Sequence, residues 1–328
     1  MESSVPILGP DWTGAPAEYQ LPATRPSLEE ATQWCHNLAT THYENFHVAT
    51  FFLPKRFRSH FDSVYAYCRV SDDLGDEVAD PETALRLLHG WGAMLDECYD
   101  APERSRHPVF VALRETIVAC ELPRQLFHDL LAAFKLDQTK TRFASTAELE
   151  AYSHDSANPV GRLVLWICGY REEPVALLSD KVCTALQLAN FWQDVVEDWE
   201  RGRRYLPADL MARFGVTDEQ VAARRFDAKF RALMEHLVTE TQSMLREGAV
   251  IRGQVDRVLA TTLGLFCQGG EAILDAIAAQ GYETVTRRPE VSKSKKARLL
   301  AGAVWGKMVG GFAGSGAAGV VGATGAGK

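Results

Sequence analysis

The chain has 328 residues, 46% of them hydrophobic, with a formal charge of −8. That balance supplies a sizeable core and argues against a nucleic-acid binder, which needs a basic patch and a high isoelectric point. It leaves an anionic substrate open, because a bound metal inverts the local sign.

Residues 1–26 are rich in proline and lack a period, which predicts an extended arm. Ser27-Leu-Glu-Glu30 reads as a capping box that opens a helix running towards Tyr43-Glu44-Asn45-Phe46. Leu53-Pro54 marks a break, and a second helix from about Lys55 carries Tyr65, Arg69 and an acidic run. Asp80-Pro81 has the cap and first-turn proline of another start, and helical patterns follow from Pro108 and from Pro123 to about Asp137. Ser145-Thr-Ala-Glu148 is a second capping box. Its helix contains Tyr152 and then Asn158-Pro159-Val160-Gly161-Arg162, where the proline is expected to produce a kink. The next helix runs from about Glu173 and stops at Gly202. Phe226, Phe230, Leu233, Leu237 and Met244 keep the helical period, as does much of 255–279. No stretch alternates as a strand does, so the fold class is all-α.

A single helical domain over 27–300 is expected, followed by a Gly/Ala-rich tail over 301–328. The tail lacks the strongly apolar residues of a spanning helix, which needs about 20 of them. A disordered tail, or one touching a membrane surface, is the expectation. Gly314-Ser-Gly316-Ala-Ala-Gly319 and Gly322-Ala-Thr-Gly-Ala-Gly327-Lys328 mimic nucleotide-binding motifs without the strand and helix such motifs need. The seven cysteines are scattered, odd in number and without a C-x-x-C pair. Together with the absence of a secretory leader pattern, they point to a reducing cytoplasm, with peripheral contact at the inner membrane face.

The chemistry concentrates in two runs. Asn190, Asp194 and Asp198 are spaced four and four, so on a helix they fall in one line, neighbours being about 5–6 Å apart. Gln187 lies one turn earlier, and Phe191 and Trp192 border the line. Asp72-Asp73-Leu-Gly-Asp76-Glu77 repeats the spacing, with Arg69 and Tyr65 one and two turns before it. Carboxylates aligned this way repel unless a cation sits among them. Two such lines facing each other make an oxygen-rich site suited to Mg²⁺, which takes a few carboxylates plus waters and substrate phosphates.

Several motifs in order then resemble the squalene/phytoene synthases, the head-to-head prenyl synthases, from about Ser27 to Lys296. They are Tyr65-Ala-Tyr-Cys-Arg69-Val-Ser-Asp72-Asp73-Leu-Gly-Asp76, Tyr152 with Val160-Gly161, Gln187-Leu-Ala-Asn190 through Asp198, and Arg203-Arg-Tyr205-Leu-Pro207. The resemblance implies a helical isoprenoid-synthase domain around a central cavity, with Mg²⁺ (or Mn²⁺) and diphosphate at its mouth. Asp72, Asp73, Asp76, Asn190, Asp194 and Asp198 are then the metal-site residues. Arg69 and Arg203 take phosphate oxygens in fork geometry, and Tyr65 and Tyr205 donate hydroxyl bonds. Phe46, Tyr152, Val160, Gly161, Gln187 and Phe191 line the prenyl site. Phe46, Phe51, Phe52, Trp166, Phe191 and Trp192 are candidates to face a carbocation.

The chain departs from the enzymes that couple two prenyl diphosphates. Tyr43-Glu44-Asn45-Phe46 replaces a Ser-x-Ser-Phe segment, and Asn158-Pro159 replaces small residues. Gln193 stands where an arginine is usual, and Gly270 where a late-helix tyrosine is usual. These features are similar to the hydroxysqualene synthase branch of bacterial hopanoid biosynthesis, whose members take presqualene diphosphate and quench the cation with water instead of NADPH hydride. That implies a lyase needing no NADPH, with Asn45 holding the water. The alternatives are a transferase condensing two farnesyl diphosphates to squalene, presqualene diphosphate or a phytoene-type product, and a non-catalytic relative serving as an assembly scaffold. The sequence leaves the oligomeric state open.

Overall fold

Capping residues and prolines set most of the helix boundaries. In the computed structural model, which describes residues 11–42 and 54–292, Ser27 and Glu30 close the expected box, with Ser27 N donating to Glu30 Oε2 at 2.8 Å and Glu30 N to Ser27 Oγ at 3.2 Å. This opens α1, Leu28–His42. A 3₁₀ turn then leads into α2, Arg58–Asp76. Asp80 caps α3, Pro81–Asp100, by accepting from Thr83 N at 2.9 Å. Next come α4, Pro108–Cys120, and α5, Arg124–Asp137. Ser145 caps α6, Thr146–Ser156, and the chain continues into α7, Asn158–Ile167.

The expected kink at Pro159 is a helix boundary instead. The first helix ends at Ser156, and Pro159 sits in the first turn of α7, where its missing N–H costs nothing. The long helix expected from Glu173 to Gly202 is likewise divided. Its first part is α8, Glu173–Gln193, and its second is α9, Val195–Glu200, with Asp194 between them. Gly202 then turns the chain at φ +79°, a left-handed conformation that glycine adopts readily. The short helices α10, Ala208–Phe214, and α11, Asp218–Ala222, lead to α12, Ala228–Gly248, and α13, Arg257–Ala279. Among the described residues there is no β-strand, only an isolated bridge between Arg142 and Arg204.

Two packing zones position the site. In the first, Tyr67, Trp91, Phe110 and Phe127 from α2 to α5 are fully or almost fully buried, with Trp91 and Phe110 rings 4.3 Å apart. The described part of the N-terminal arm is docked on this zone: Trp12 stacks on Trp91 at 5.9 Å, and Tyr19 is 1% exposed. In the second, α8 lies against α7, α12 and α13. Gly161 allows the close approach of α7 to α8, since a Cβ there would lie 2.5 Å from Cys183 Sγ and from Ser179 Oγ. Arg162 clasps the same pair, with Nη2 2.7 Å from Asp180 Oδ2 and 3.0 Å from Glu173 Oε1. Residues 43–53 and 293–328, which include Asn45, Phe46, Phe51, Phe52 and the tail, lie outside the described residues.

Candidate active site

Arg203 joins the two acidic lines. Its main-chain N donates to Asp198 O at 2.8 Å, and its Nη2 reaches Asp76 on α2 at 2.6 Å. A residue just after the second line thus meets the last carboxylate of the first. Burial lowers the affinity of this guanidinium for its proton, but the Asp76 bond together with the charges of Asp76, Tyr205 and Asp137 outweighs that, and its pKa is raised.

The carboxylates are crowded. Burial and then the neighbouring Asp76 push the Asp72 carboxyl up to about 6. Burial and then Asp194 push Asp198 up to about 7. Asp194 itself, at the break between α8 and α9, is held by Arg288, whose Nε lies 2.6 Å from Oδ1. Arg288 also approaches Glu197 Oε2 at 3.5 Å. Despite the break, Asp194 N still bonds Asn190 O at 2.9 Å and Asp198 N bonds Asp194 O at 2.8 Å, which preserves the four-residue register of the line. Asn190 is exposed beside it.

Asp73 behaves differently from its neighbours. It is 2% exposed, and both of its oxygens are engaged. Oδ2 accepts from Tyr19 Oη and from Arg69 Nε, the latter at 2.9 Å, while Oδ1 pairs with Arg69 Nη2. The sequence grouped it with the metal-site residues; its oxygens are spent inside the fold, so it is a support for Arg69. Arg69 keeps Nη1 towards Asp72, 3.8 Å from Oδ2. Tyr65 is partly buried one turn before Arg69.

Beside Arg203 an aromatic wall forms. Phe191 and Tyr205 stack at 3.7 Å with 7° between ring planes, Phe143 lies 5.6 Å beyond Tyr205, and Tyr152 lies 6.4 Å from both Phe191 and Tyr205. A cleft at this point is walled by Phe191, Asp198, Trp199, Arg203 and Tyr205. Trp192 and Trp166 do not join it. Trp192 is 1% exposed and donates Nε1 to Thr241 Oγ1 on α12 at 2.8 Å, and Trp166 carries Arg171 on its face at 4.0 Å. Gln187 bonds Ser156 on α6, its Nε2 2.8 Å from Oγ. Val160 is 40% exposed, and Gly161 serves the helix contact described above.

Two site residues escaped the sequence reading. Arg288 lies 94 positions from Asp194, and no local pattern links them. Asp137 ends α5 and accepts from Tyr152 Oη at 2.9 Å. Burial pushes its carboxyl up to about 6, with the tyrosine bond and Arg203 opposing. One signal was available for Asp137, because an acid in the last turn of a helix opposes the macrodipole and needs a reason to be there.

Asp72, Asp76, Asn190, Asp194 and Asp198 form an all-oxygen donor set of the kind a hard divalent cation accepts. Among the described residues, no three His, Cys, Asp or Glu side chains are gathered into a ready-made cage. Mg²⁺ normally takes one or two carboxylates and completes its shell with waters and substrate phosphates, so the set fits that ion.

These features define a helical isoprenoid-synthase fold with two acidic helices joined by an arginine. The chain belongs to the squalene/phytoene synthase family, whose sequence profile matches residues 39–295. It is 32% identical over 260 residues to the phytoene synthase of Thermus thermophilus, covering 79% of this chain and 87% of that one. The phytoene synthase 2 of Solanum lycopersicum is 30% identical over 291 residues, covering 85% and 92%. Among solved structures, squalene synthase HpnC from Alicyclobacillus acidocaldarius superposes with a TM-score of 0.75 at 40% identity, over 78% of this chain and 96% of that one. A dehydrosqualene synthase bound to a ligand shares the fold, with a TM-score of 0.76 at 24% identity over 85% and 96%. Members of the family act on prenyl diphosphates. No helix among the described residues is long and apolar enough to cross a membrane.

Proposed function

We propose that this protein is a Mg²⁺-dependent hydroxysqualene synthase, releasing diphosphate from presqualene diphosphate and giving the cation to water. One observation carries the reading: the two positions where coupling enzymes usually hold an arginine and a late-helix tyrosine are both committed to packing. Gln193 is buried, donates Nε2 to Pro289 O at 2.7 Å and faces Arg288 through Oε1. Gly270 lies under Leu186, whose Cδ2 is 2.5 Å from where a Cβ would be, so a ring has no room. The acidic lines that would serve ionisation are intact. The neighbour of known structure at 40% identity, squalene synthase HpnC, favours the squalene over the phytoene side of the family and by its name goes no further towards the alcohol.

In this reading Mg²⁺, or Mn²⁺ in its place, would be held by Asp72, Asp76, Asn190, Asp194 and Asp198 and would neutralise the leaving diphosphate as a Lewis acid. Arg203 binds phosphate oxygens in fork geometry, exchanging Asp76 for them, and Arg69 offers the one nitrogen, Nη1, that Asp73 leaves it. The carbon–oxygen bond breaks with its electron pair leaving on diphosphate. Phe191 and Tyr152 stand beside the leaving group to face the resulting cation and exclude bulk water, backed by Tyr205, which is stacked between Phe191 and Phe143. A water oxygen then forms the new carbon–oxygen bond, and its proton passes to diphosphate. We assign the holding of that water to Asn45 and expect no nicotinamide requirement.

A second reading, a synthase condensing two prenyl diphosphates, is favoured by the phytoene synthase names of the curated relatives. A scaffold has no use for crowded carboxylates that strain for a cation. Incubation with presqualene diphosphate, and separately with farnesyl or geranylgeranyl diphosphate, each with and without NADPH, separates the readings by mass spectrometry. An alcohol from presqualene diphosphate alone supports the proposal. A hydrocarbon built only from two smaller diphosphates supports the alternative.

A further inference from the structure

The family profile begins at residue 39, yet a tyrosine twenty positions earlier is bonded into the first acidic motif. We propose that Tyr19 is a positioning residue for diphosphate binding: its hydroxyl fixes Asp73, and Asp73 fixes the guanidinium of Arg69. The inference rests on the reading above that Arg69 meets a diphosphate.

The geometry runs outward from the buried carboxylate. Asp73 holds Arg69 through two of its nitrogens, Nε and Nη2, and so sets the plane of the fork. The remaining nitrogen, Nη1, is left on the Asp72 side. A carboxylate this deeply buried needs its lone pairs filled, and the oxygen that takes Arg69 Nε also takes Tyr19 Oη. Without that second donor a lone pair of the buried carboxylate goes unfilled, and any rotation that fills it turns Arg69 as well, against the hold of Glu77 on Nη2 at 3.3 Å. Burial, and then the bond to Asp73, keep the Tyr19 phenol well above its usual range, so it stays a donor.

The arm is built to hold that hydroxyl still. Trp12 Nε1 donates to Tyr19 O at 2.7 Å, and Trp34 meets the Tyr19 ring edge-on at 6.3 Å. Arg86 on α3 anchors the arm upstream through Asp11 O at 2.8 Å and Thr13 O. An arm that only covered apolar surface would need the Tyr19 ring but not its oxygen. The oxygen is the part that reaches the motif.

The test is Tyr19→Phe in the full chain, which keeps the ring and removes the donor. The probe is inorganic diphosphate with Mg²⁺, titrated calorimetrically beside a thermal melt and steady-state kinetics. Diphosphate affinity should fall about tenfold, equivalent to about 1.4 kcal/mol. KM should rise by a similar factor with kcat within about twofold, the pattern of lost uniform binding. Placed on top of Arg69→Gln, the same change should cost no further affinity, because it acts through Arg69. Native affinity in Tyr19→Phe, or an undiminished penalty in the Arg69→Gln background, overturns the proposal. If the native protein itself fails to bind diphosphate, the functional reading falls and this inference falls with it.

Discussion

In α2 the acidic line rests on an unbroken helix and is held by groups close at hand. Arg69 reaches Asp73 within the same helix at i+4, and the arm adds Tyr19 from behind. At the α8–α9 junction the line is interrupted at its middle member, and its cation arrives from the far end of the chain as Arg288. The two lines have nearly the same spacing in sequence. The first is supported by a carboxylate turned inward, and the second by a guanidinium brought from outside. Spacing therefore predicts that carboxylates will align, but not which of them turns into the core or what neutralises the rest.

Acids that face the site and the acid that faces the core should fail in different ways when removed. Asp76→Ala and Asp194→Ala should each reduce turnover by roughly 10²-fold or more, the scale of losing one electrostatic stabiliser, while the fold persists. Near-normal turnover in either variant would contradict the metal-site assignment. Asp73→Ala should instead act on stability, since it leaves Arg69 without its buried partner. Breaking such a pair costs about 3–5 kcal/mol, which denaturant unfolding would register as a large drop in midpoint. A variant as stable as the native protein would return Asp73 to the acids facing the site.

The support of the second line can be probed by Arg288→Gln. Removing the competing guanidinium from Asp194 should tighten Mg²⁺ binding in the absence of substrate by roughly fivefold, from about 1 kcal/mol of screened repulsion. Calorimetry would detect it, and unchanged affinity would mean that Arg288 does not compete at that carboxylate. The smallest effect expected is on pH dependence through Asp137. Its folded carboxyl is raised to about 6 from 3.8, mainly by burial, so the folded state holds the proton more tightly than the unfolded one. Its contribution to stability is full below the unfolded value and is lost as pH rises through about 6. Asp137→Asn removes that loss, so its Tm relative to native should rise across this window. A difference that stays flat with pH would remove Asp137 from the titrating groups.

Features written in neighbouring residues were legible. Ser27 with Glu30, Asp80 with Thr83, and Ser145 with Glu148 N all form the caps their spacing suggests. Asn190, Asp194 and Asp198 hold their register, and Arg203 stands between the two lines. What the sequence hid depends on contacts between distant segments. Tyr19 meets Asp73 across 54 positions, and Arg288 meets Asp194 across 94. The helical period that runs on past Ser156 suggests an interior kink at Pro159, although the same residue also satisfies the rule for a helix start. Trp192 borders the acidic line in sequence, but its indole N–H finds Thr241 and its ring stays in the core.

The central claim is that this site ionises presqualene diphosphate and gives the cation to water. The most direct measurement incubates the native protein with Mg²⁺ and presqualene diphosphate in isotopically labelled water, without NADPH, and reads the products by mass spectrometry. The account predicts a single alcohol carrying the labelled oxygen, formed in step with diphosphate release. Unconsumed presqualene diphosphate, alongside efficient conversion of two smaller prenyl diphosphates, would contradict it.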